Sequence, residues 1–405
     1  MKQLFKIITC GTIFSVLYVH ARAEQSCIAE TPEEISTEST NSISDVLNPT
    51  SESVDESESV YNLSPESSPS LATSLKSVSQ NTPDWLLDVA DRIKLHGYAQ
   101  GGYFYNRQGG VNTNSFEIKR VLFWAEAKIT PRWSFLFMHD FSSVVQEYYT
   151  DFRVTNNKAL NIRLGQFKTG LTYENPLSPT SMETIDVYAD GVTYLTMCGS
   201  DPLLGVQYGR DLGLSFFGET NNGLFRYELD VMNGQGINKK DGNNKKDVIA
   251  RLELRPAKGL NIIATGQLGH GHAIAQSLYN PEINIGDDYK RNRMSLGIAY
   301  KSNPINIHGE YLEGKDGNVT SRGAYVMGSV PLYKKLEFVG SYDFFNFNTT
   351  LGMDQHKIVA GLQYWYFKKC RFQLNYTYKS AYVAGGEFVH GAYHGIQCQM
   401  QVRFN

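Results

Sequence analysis

From Ile396 to the end the chain alternates without a break: Ile396, Cys398, Met400, Val402 and Phe404 against Gln397, Gln399, Gln401, Arg403 and Asn405. Successive side chains on a strand point to opposite faces, so this spacing predicts one apolar and one polar face. Phe372, Leu374, Tyr376 and Tyr378 alternate likewise with Arg371, Gln373, Asn375, Thr377 and Lys379. So do Phe225, Tyr227, Leu229 and Val231 with Arg226, Glu228 and Asp230. Val248, Ala250, Leu252 and Leu254 fall between Asp247, Arg251, Glu253 and Arg255, with Ile249 the one apolar residue on the polar side.

The same reading along the chain predicts strands over 92–105, 115–129, 131–141, 144–155, 160–168, 203–218, 222–232, 246–256, 259–269, 291–301, 304–314, 320–330, 335–347, 354–367, 370–380 and 390–405. These are about ten residues or more, against a typical ~5–6 in globular sheets, and that length suits a tilted crossing of a bilayer. Sixteen is even, as a closed antiparallel barrel with both chain ends on one side requires. Seven connections are brief (Thr130-Pro131, Asn156–Ala159, Thr220-Asn221, Ala257-Lys258, Ser302-Asn303, Pro331–Lys334, Lys368-Lys369) and the other eight mostly longer. Aromatic clusters at Tyr103-Phe104-Tyr105, Tyr148-Tyr149, Phe344-Phe345 and Tyr364-Trp365-Tyr366-Phe367 are expected at the membrane interfaces. The fold class expected is all-β: a sixteen-stranded antiparallel transmembrane barrel over residues 84–405, with a long third loop folded inward.

Two N-terminal segments do not follow this pattern. Residues 1–23 carry Lys2 and Lys6, an apolar run from Ile7 to Val19 and the exit Ala21-Arg22-Ala23, which reads as a secretory signal. Residues 24–83 hold eleven acidic residues, one Lys, sixteen Ser and a single aromatic, Tyr61. Such a segment buries too little apolar surface to offset chain entropy and is expected to be disordered.

Composition changes meaning once these are set apart. The mean hydropathy of −0.34 and the net charge of −3 suggest a soluble protein when averaged over all 405 residues. The signal contributes +3 and the acidic segment −10, leaving +4 on the remaining chain, which is mildly basic and aromatic-rich. Nothing in this balance points to nucleic acid as a partner. Cys27, Cys198, Cys370 and Cys398 remain after the signal, too sparse for a disulfide scaffold. Cys370 and Cys398 fall on adjacent predicted strands, where either a bridge or two unlinked thiols fits.

Inward positions are where a barrel's function resides. The basic ones are Lys94, Arg153, Arg163, Arg226, Arg251, Arg255, Arg293, Arg371, Lys379 and Arg403; Glu147, Asp151, Glu228, Asp230, Asp247, Glu253 and Asp343 share the same faces. Any one of these is a solvated wall residue in an aqueous pore, but a set of guanidinium groups can pass an anion along by short-lived bidentate contacts. The connection from Thr169 to Pro202 exceeds thirty residues and is rich in acids: Glu174, Glu183, Asp186, Asp190 and Asp201. Structureless connections of that length are usually functional. Folded inward, it would narrow the pore and set an acidic loop against a basic wall. His270 and His272, in a Gly-rich stretch expected as an external loop, are the best positions for a base or metal, and as solvated loop residues they need have no such role. No Gly-x-Ser-x-Gly elbow, P-loop or His-Glu-x-x-His motif occurs.

The order of several motifs adds a resemblance. Asp91-Arg92-Ile93-Lys94-Leu95-His96-Gly97-Tyr98 and Phe116-Glu117-Ile118-Lys119-Arg120 are followed by Trp133 and Asp140-Phe141. Then come Ile162-Arg163-Leu164-Gly165-Gln166-Phe167-Lys168-Thr169, Tyr173-Glu174, Ser178-Pro179, Gly209-Arg210-Asp211-Leu212-Gly213 and Val231-Met232-Asn233-Gly234. Together they resemble the phosphate-selective porin O and P family across residues 91–405. That resemblance implies a homotrimeric, anion-preferring outer-membrane porin of a Gram-negative bacterium. It further implies a constriction lined by basic residues, carried here onto Lys119 and Arg120, with Lys168, Tyr173, Glu174, Glu183 and Asp186 on the constricting loop. The basic run is shorter than the family's, since Val121 and Leu122 follow. The expected function is passive diffusion of small hydrophilic solutes through an outer-membrane porin, with phosphate-like or polyphosphate-like anions preferred. The expectation includes no cofactor, no metal and no catalysis. The alternatives are a non-selective porin, a structural or adhesive barrel and, third, an outer-membrane barrel enzyme.

Overall fold

A computed structural model describes residues 91–196, 200–302 and 304–404. The signal and the acidic segment expected from the sequence lie outside the described residues, as do Cys27 and Cys198. The strands are β1 (Ile93–Gln108), β2 (Val111–Thr130), β3 (Trp133–Asp140), β4 (Val145–Arg153), β5 (Asn161–Lys168), β6 (Arg210–Glu219), β7 (Phe225–Met232) and β8 (Asp247–Ala257). They continue with β9 (Leu260–His272), β10 (Asp288–Ser302), β11 (Ile305–Asp316), β12 (Val319–Tyr333), β13 (Leu336–Asn346), β14 (Asp354–Phe367), β15 (Cys370–Ala384) and β16 (Glu387–Phe404). Each pairs antiparallel with its sequence neighbours, and β1 closes on β16 from Gly97↔Phe404 to Gln108↔Tyr393, giving a closed sixteen-stranded barrel. A two-residue ribbon, Ser200–Asp201 with Gly205–Val206, lies apart from it.

Burial inverts the soluble rule. On β16, Ile396, Met400, Val402 and Phe404 are exposed while Gln397, Gln399 and Gln401 are buried at 6%, 1% and 0% exposure. β8, β10 and β15 repeat this, with Leu252, Leu296, Ile298 and Leu374 outside and Arg251, Arg293, Ser295 and Asn375 inside. An apolar exterior this continuous far exceeds the few hundred Å² a soluble monomer exposes. Its natural solvent is hydrocarbon, where closure pairs each strand with a neighbour on both sides over the common belt of the barrel. Ile249, the exception to the alternation, points inward and packs against Phe167, Leu171 and Met232.

The brief connections gather at one rim, as expected, among them 131–132, 258–259, 334–335 and 368–369. The opposite rim differs from expectation. It carries 169–209, 233–246, 273–287 and 347–353, but its other four connections are short. The strands there run past the predicted ends and turn tightly: β1 and β2 meet at Gly109-Gly110, and β15 and β16 at Gly385-Gly386. All four glycines have positive φ, which two-residue hairpins favour and glycine adopts without strain.

Wall height is uneven. β2 has twenty residues, whereas β3, β4 and β5 have eight or nine. At ~3.3 Å per residue the tall strand outreaches its neighbours by roughly 35 Å. β3 pairs with β2 only from Leu122 onward, so Val111–Arg120 have no ladder partner on that side among the described residues. Phe116 and Ile118 stand there at 85% and 71% exposure. The aromatic run Tyr103-Phe104-Tyr105 does not lie wholly at the interface: Phe104 is buried, beneath the ammonium of Lys119. Neighbours on a regular strand point to opposite faces. Cys370 is buried and Cys398 exposed, both as free thiols; Cys398 pairs with Leu374 across β15–β16, so the two Cys are out of register for a bridge.

Candidate functional site

The interior is organised around the 169–209 connection. Its backbone and acids bond to side chains on the inner face of strands all round the barrel, so it lies against the inner wall. The Gly170 N–H donates to Asp230 on β7 (3.1 Å), the Thr172 N–H to Thr265 on β9 (3.1 Å) and the Tyr173 N–H to Glu310 on β11 (2.9 Å). Further along, Arg371 and Gln373 on β15 donate to the carbonyls of Met182 (2.7 Å) and Glu183 (3.0 Å). Arg403 on β16 donates to the Thr180 hydroxyl at 2.7 Å. A short helix, α1 (Asp190–Leu195), then crosses to β13 and β14: the Asp190 N–H donates to Asp343 (2.5 Å), and Lys357 donates to the Asp190 carboxylate (2.5 Å). Apolar contacts fill the gaps. Met182, Val187, Val192, Tyr194 and Leu195 pack with Leu312, Tyr325, Met327, Phe345 and Phe347. Gly191 is required at this seat, since a Cβ there would sit 2.7 Å from the Phe345 ring and 2.8 Å from Leu312.

The loop's acids serve as tethers. Glu174 meets His308 (3.0 Å) and accepts from the Ala189 N–H (2.9 Å), with no exposure. Glu183 bonds Asn306. Asp186 accepts from Lys119 (3.3 Å) and Gln397 (2.8 Å), and Asp190 lies 3.7 Å from Lys379. Burial alone would push the carboxyls of Asp186 and Asp190 up. The ammonium groups of Lys119, Lys379 and Lys357 outweigh it, holding both below the usual carboxylate value. The loop's acids and the basic residues of the wall are thus in contact, with opposite charges closed on one another.

The basic positions fall into three groups. Arg251, Arg293 and Arg371 are nearly fully buried, with guanidiniums on loop carbonyls: Arg251 on those of Gly170 and Thr172, and Arg293 on that of Leu195 (3.2 Å). Lys168 also holds the loop, donating to the carbonyls of Asn175 (2.8 Å) and Leu177 (2.6 Å). A second group is ion-paired toward the brief-turn rim. Arg163 grips Asp151 bidentately at 2.7 and 2.8 Å over the Tyr149 ring, Arg255 pairs with Glu253 and Glu219, and Arg226 approaches Glu228 at 3.9 Å. Arg153 is exposed at the end of β4. The third group has no carboxylate within pairing distance among the described residues: half-buried Lys94, Arg120 and Arg403. Arg120 donates to the Gln100 amide oxygen (3.0 Å).

Lys119 and Arg120 both reach the inner wall although they are adjacent on β2. Gln100 pairs with Arg120 and Gly101 with Ile118, leaving Lys119 as the extra residue of a bulge. The bulge re-aims one side chain that strict alternation would send into lipid. Sequence reasoning passed over Lys357, whose alternation with Ile358 was present, and His308, whose alternation with Ile307 was equally so. His270 and His272 sit on the end of β9, His272 paired with Asp288 at 2.8 Å.

A closed sixteen-stranded barrel, apolar outside and polar inside, with one long connection laid along its inner wall, is the fold of outer-membrane porins of Gram-negative bacteria. The apolar exterior puts the chain in that membrane. No family model matches the sequence, and no curated protein matches it. Solved structures do. An anion-selective porin from Comamonas acidovorans is similar over 77% of this chain and 99% of its own, at 12% identity and a TM-score of 0.57. An outer-membrane protein of Vibrio cholerae, OmpT in its trimer form, is similar over 78% of this chain and 100% of its own (14% identity, TM-score 0.53). The outer-membrane channel DcaP of Acinetobacter baumannii is similar over 76% and 97% (11% identity, TM-score 0.52). At these identities the likeness is one of fold.

Proposed function

We propose that the barrel is a porin for passive diffusion of small hydrophilic solutes, with anions preferred. The observation that carries the preference is that Lys94, Arg120 and Arg403, on the first, second and last strands, make no ion-pair contact with a carboxylate among the described residues, although Glu126 stands opposite Lys94 in the ladder. Nearby amides, Gln100 and Gln401, are bonded to one another at 2.8 Å. A guanidinium held only by neutral amides and hydroxyls keeps its charge unbalanced, and a passing anion can replace hydration with a bidentate contact that breaks as readily as it forms. Phosphate or a polyphosphate-like anion is the solute that the motif resemblance favours. Reversal potentials across a planar bilayer in a KCl gradient, then with phosphate replacing chloride, test both parts.

The pairing of Arg163, Arg255, Lys119, Lys357 and Lys379 with acids supports a second reading, a channel with little selectivity. Equal permeation of K⁺ and Cl⁻ would decide for it. The assembly proposed is a homotrimer. The low wall of β3–β5 exposes Phe135, Phe137, Phe152 and Leu164, large side chains suited to packing against a second copy. Sedimentation of the detergent-solubilised protein tests that.

A further inference from the structure

We propose that the long-loop rim carries a saccharide-binding subsite, built over α1 and independent of any anion preference. A cavity of about 330 Å³ opens there between α1, the upper ends of β14–β16 and the 273–287 connection. That volume lies at the lower end of the ~300–1,000 Å³ range of small-molecule sites.

Its floor is aromatic and fixed. Tyr279 and Phe347 stack with centroids 4.6 Å apart and planes 18° apart. Tyr194 stands edge-on to both, at 5.6 and 5.3 Å. Tyr194 and Phe347 are themselves buried, so they serve to lock half-buried Tyr279, the ring a guest would reach without side-chain entropy being paid on binding. The polar groups of the lining complement them. The Gln108 amide, the Thr193 hydroxyl and the Tyr382 hydroxyl line the cavity and have no side-chain hydrogen-bond partner among the described residues.

Charge decides which class of guest fits. Asp190 and Lys379 reach the cavity, but Lys379 lies 3.7 Å from Asp190, which also holds Lys357, itself 3.4 Å from Asp343. Two cations and two anions leave no net sign, so an anionic guest gains little from Lys379 that it does not lose to Asp190. An uncharged guest is favoured. A pyranose ring has what the wall asks for: apolar C–H faces to lie on aromatic rings, and an edge of hydroxyls for amide and hydroxyl partners.

The test is isothermal titration of the full chain, folded in detergent, with maltotriose and with cellotriose, using glycerol as the small-polyol control and benzoate as the aromatic anion. Saturable binding of at least one trisaccharide is expected, with none for glycerol. Tyr279→Ala should weaken it about tenfold by removing one stacking face, and Gln108→Ala should weaken it severalfold. Both positions lie at the rim, and unchanged heat-modifiable mobility on gels will show that the variants fold. No saturable trisaccharide binding, binding indifferent to Tyr279→Ala, or binding of benzoate alone would overturn the proposal. A protein that binds trisaccharide yet conducts no current in a bilayer would refute the channel and leave the subsite standing.

Discussion

Replacing Lys357 by Met removes the ammonium that lies between two carboxylates, Asp190 of the inner loop at 2.5 Å and Asp343 of β13 at 3.4 Å. The side chains of Lys357 and Asp343 are each 4% exposed, so the carboxylates would be left facing one another with little water to separate them. Breaking a buried pair by removing one partner costs about 3–5 kcal/mol. The lower figure applies here, because Lys379 stays 3.7 Å from Asp190. Some 3 kcal/mol corresponds to roughly a 150-fold shift in the equilibrium between seated and lifted α1. The rest of the seat survives: Met182, Val187, Val192 and Leu195 remain buried, each worth ~1.5–3 kcal/mol. The loop should therefore loosen around α1 rather than leave the wall. Single-channel recordings should show open-channel noise well above wild type, with transient conductance steps, and the double variant Lys357→Met/Asp343→Asn should recover part of the quiet trace. If Lys357→Met matches wild type in noise and in heat stability, the ion-pair cluster does not seat the loop.

Three further outcomes follow from the interior. Arg120→Glu should lower the chloride-to-potassium permeability ratio read from reversal potentials, and an unchanged ratio would remove Arg120 from the solute path. Asp186 and Asp190 are held below the usual carboxylate value, so their stabilisation is complete above about pH 4 and is lost as pH falls further. The part of the channel noise that Asp186→Asn or Asp190→Asn abolishes should then appear only below about pH 4, and an onset of that part near pH 6.5 would contradict this assignment. Gly191→Ala drives a Cβ against Phe345 and Leu312 and should destabilise the folded barrel by ~1–3 kcal/mol, measured as a lower temperature for the heat-induced mobility shift.

The barrel was legible because its signal is repeated and local. Each of β8, β15 and β16 states its two faces within one strand, and lipid outside makes the contrast stark. Ile249 broke the pattern because an apolar patch is built inside the barrel there: Leu171 of the loop, some eighty positions earlier, joins Phe167 and Met232 of the wall to cover it. Lys119 and Arg120 show a different limit. Two adjacent bases can share the lumen only through a bulge, and a bulge depends on the register of β1 against β2, which alternation within one strand cannot report. The loop's acids were visible, and so was the inward fold as an expectation. Their partners were not, because Lys119, Lys357, Lys379 and His308 come from four strands separated by up to 260 residues. Tight turns at Gly109-Gly110 and Gly385-Gly386 were missed because polar residues beyond the hydrocarbon zone read as loop while still pairing as strand.

The seam between β1 and β16 has a consequence for assembly. Gly97 and Phe404 are joined across the whole length of the domain, so the ring closes only when the last strand arrives, the slowest kind of contact for a chain to form. The same strand donates from Gln397 and Arg403 to the inner loop, and its neighbour from Arg371 and Gln373. The seating of the inner loop and the closure of the wall are thus completed by one event at the C-terminal end. A chain cut before residue 387 would lose both together, leaving an open sheet with two raw edges and a loop deprived of much of its seat.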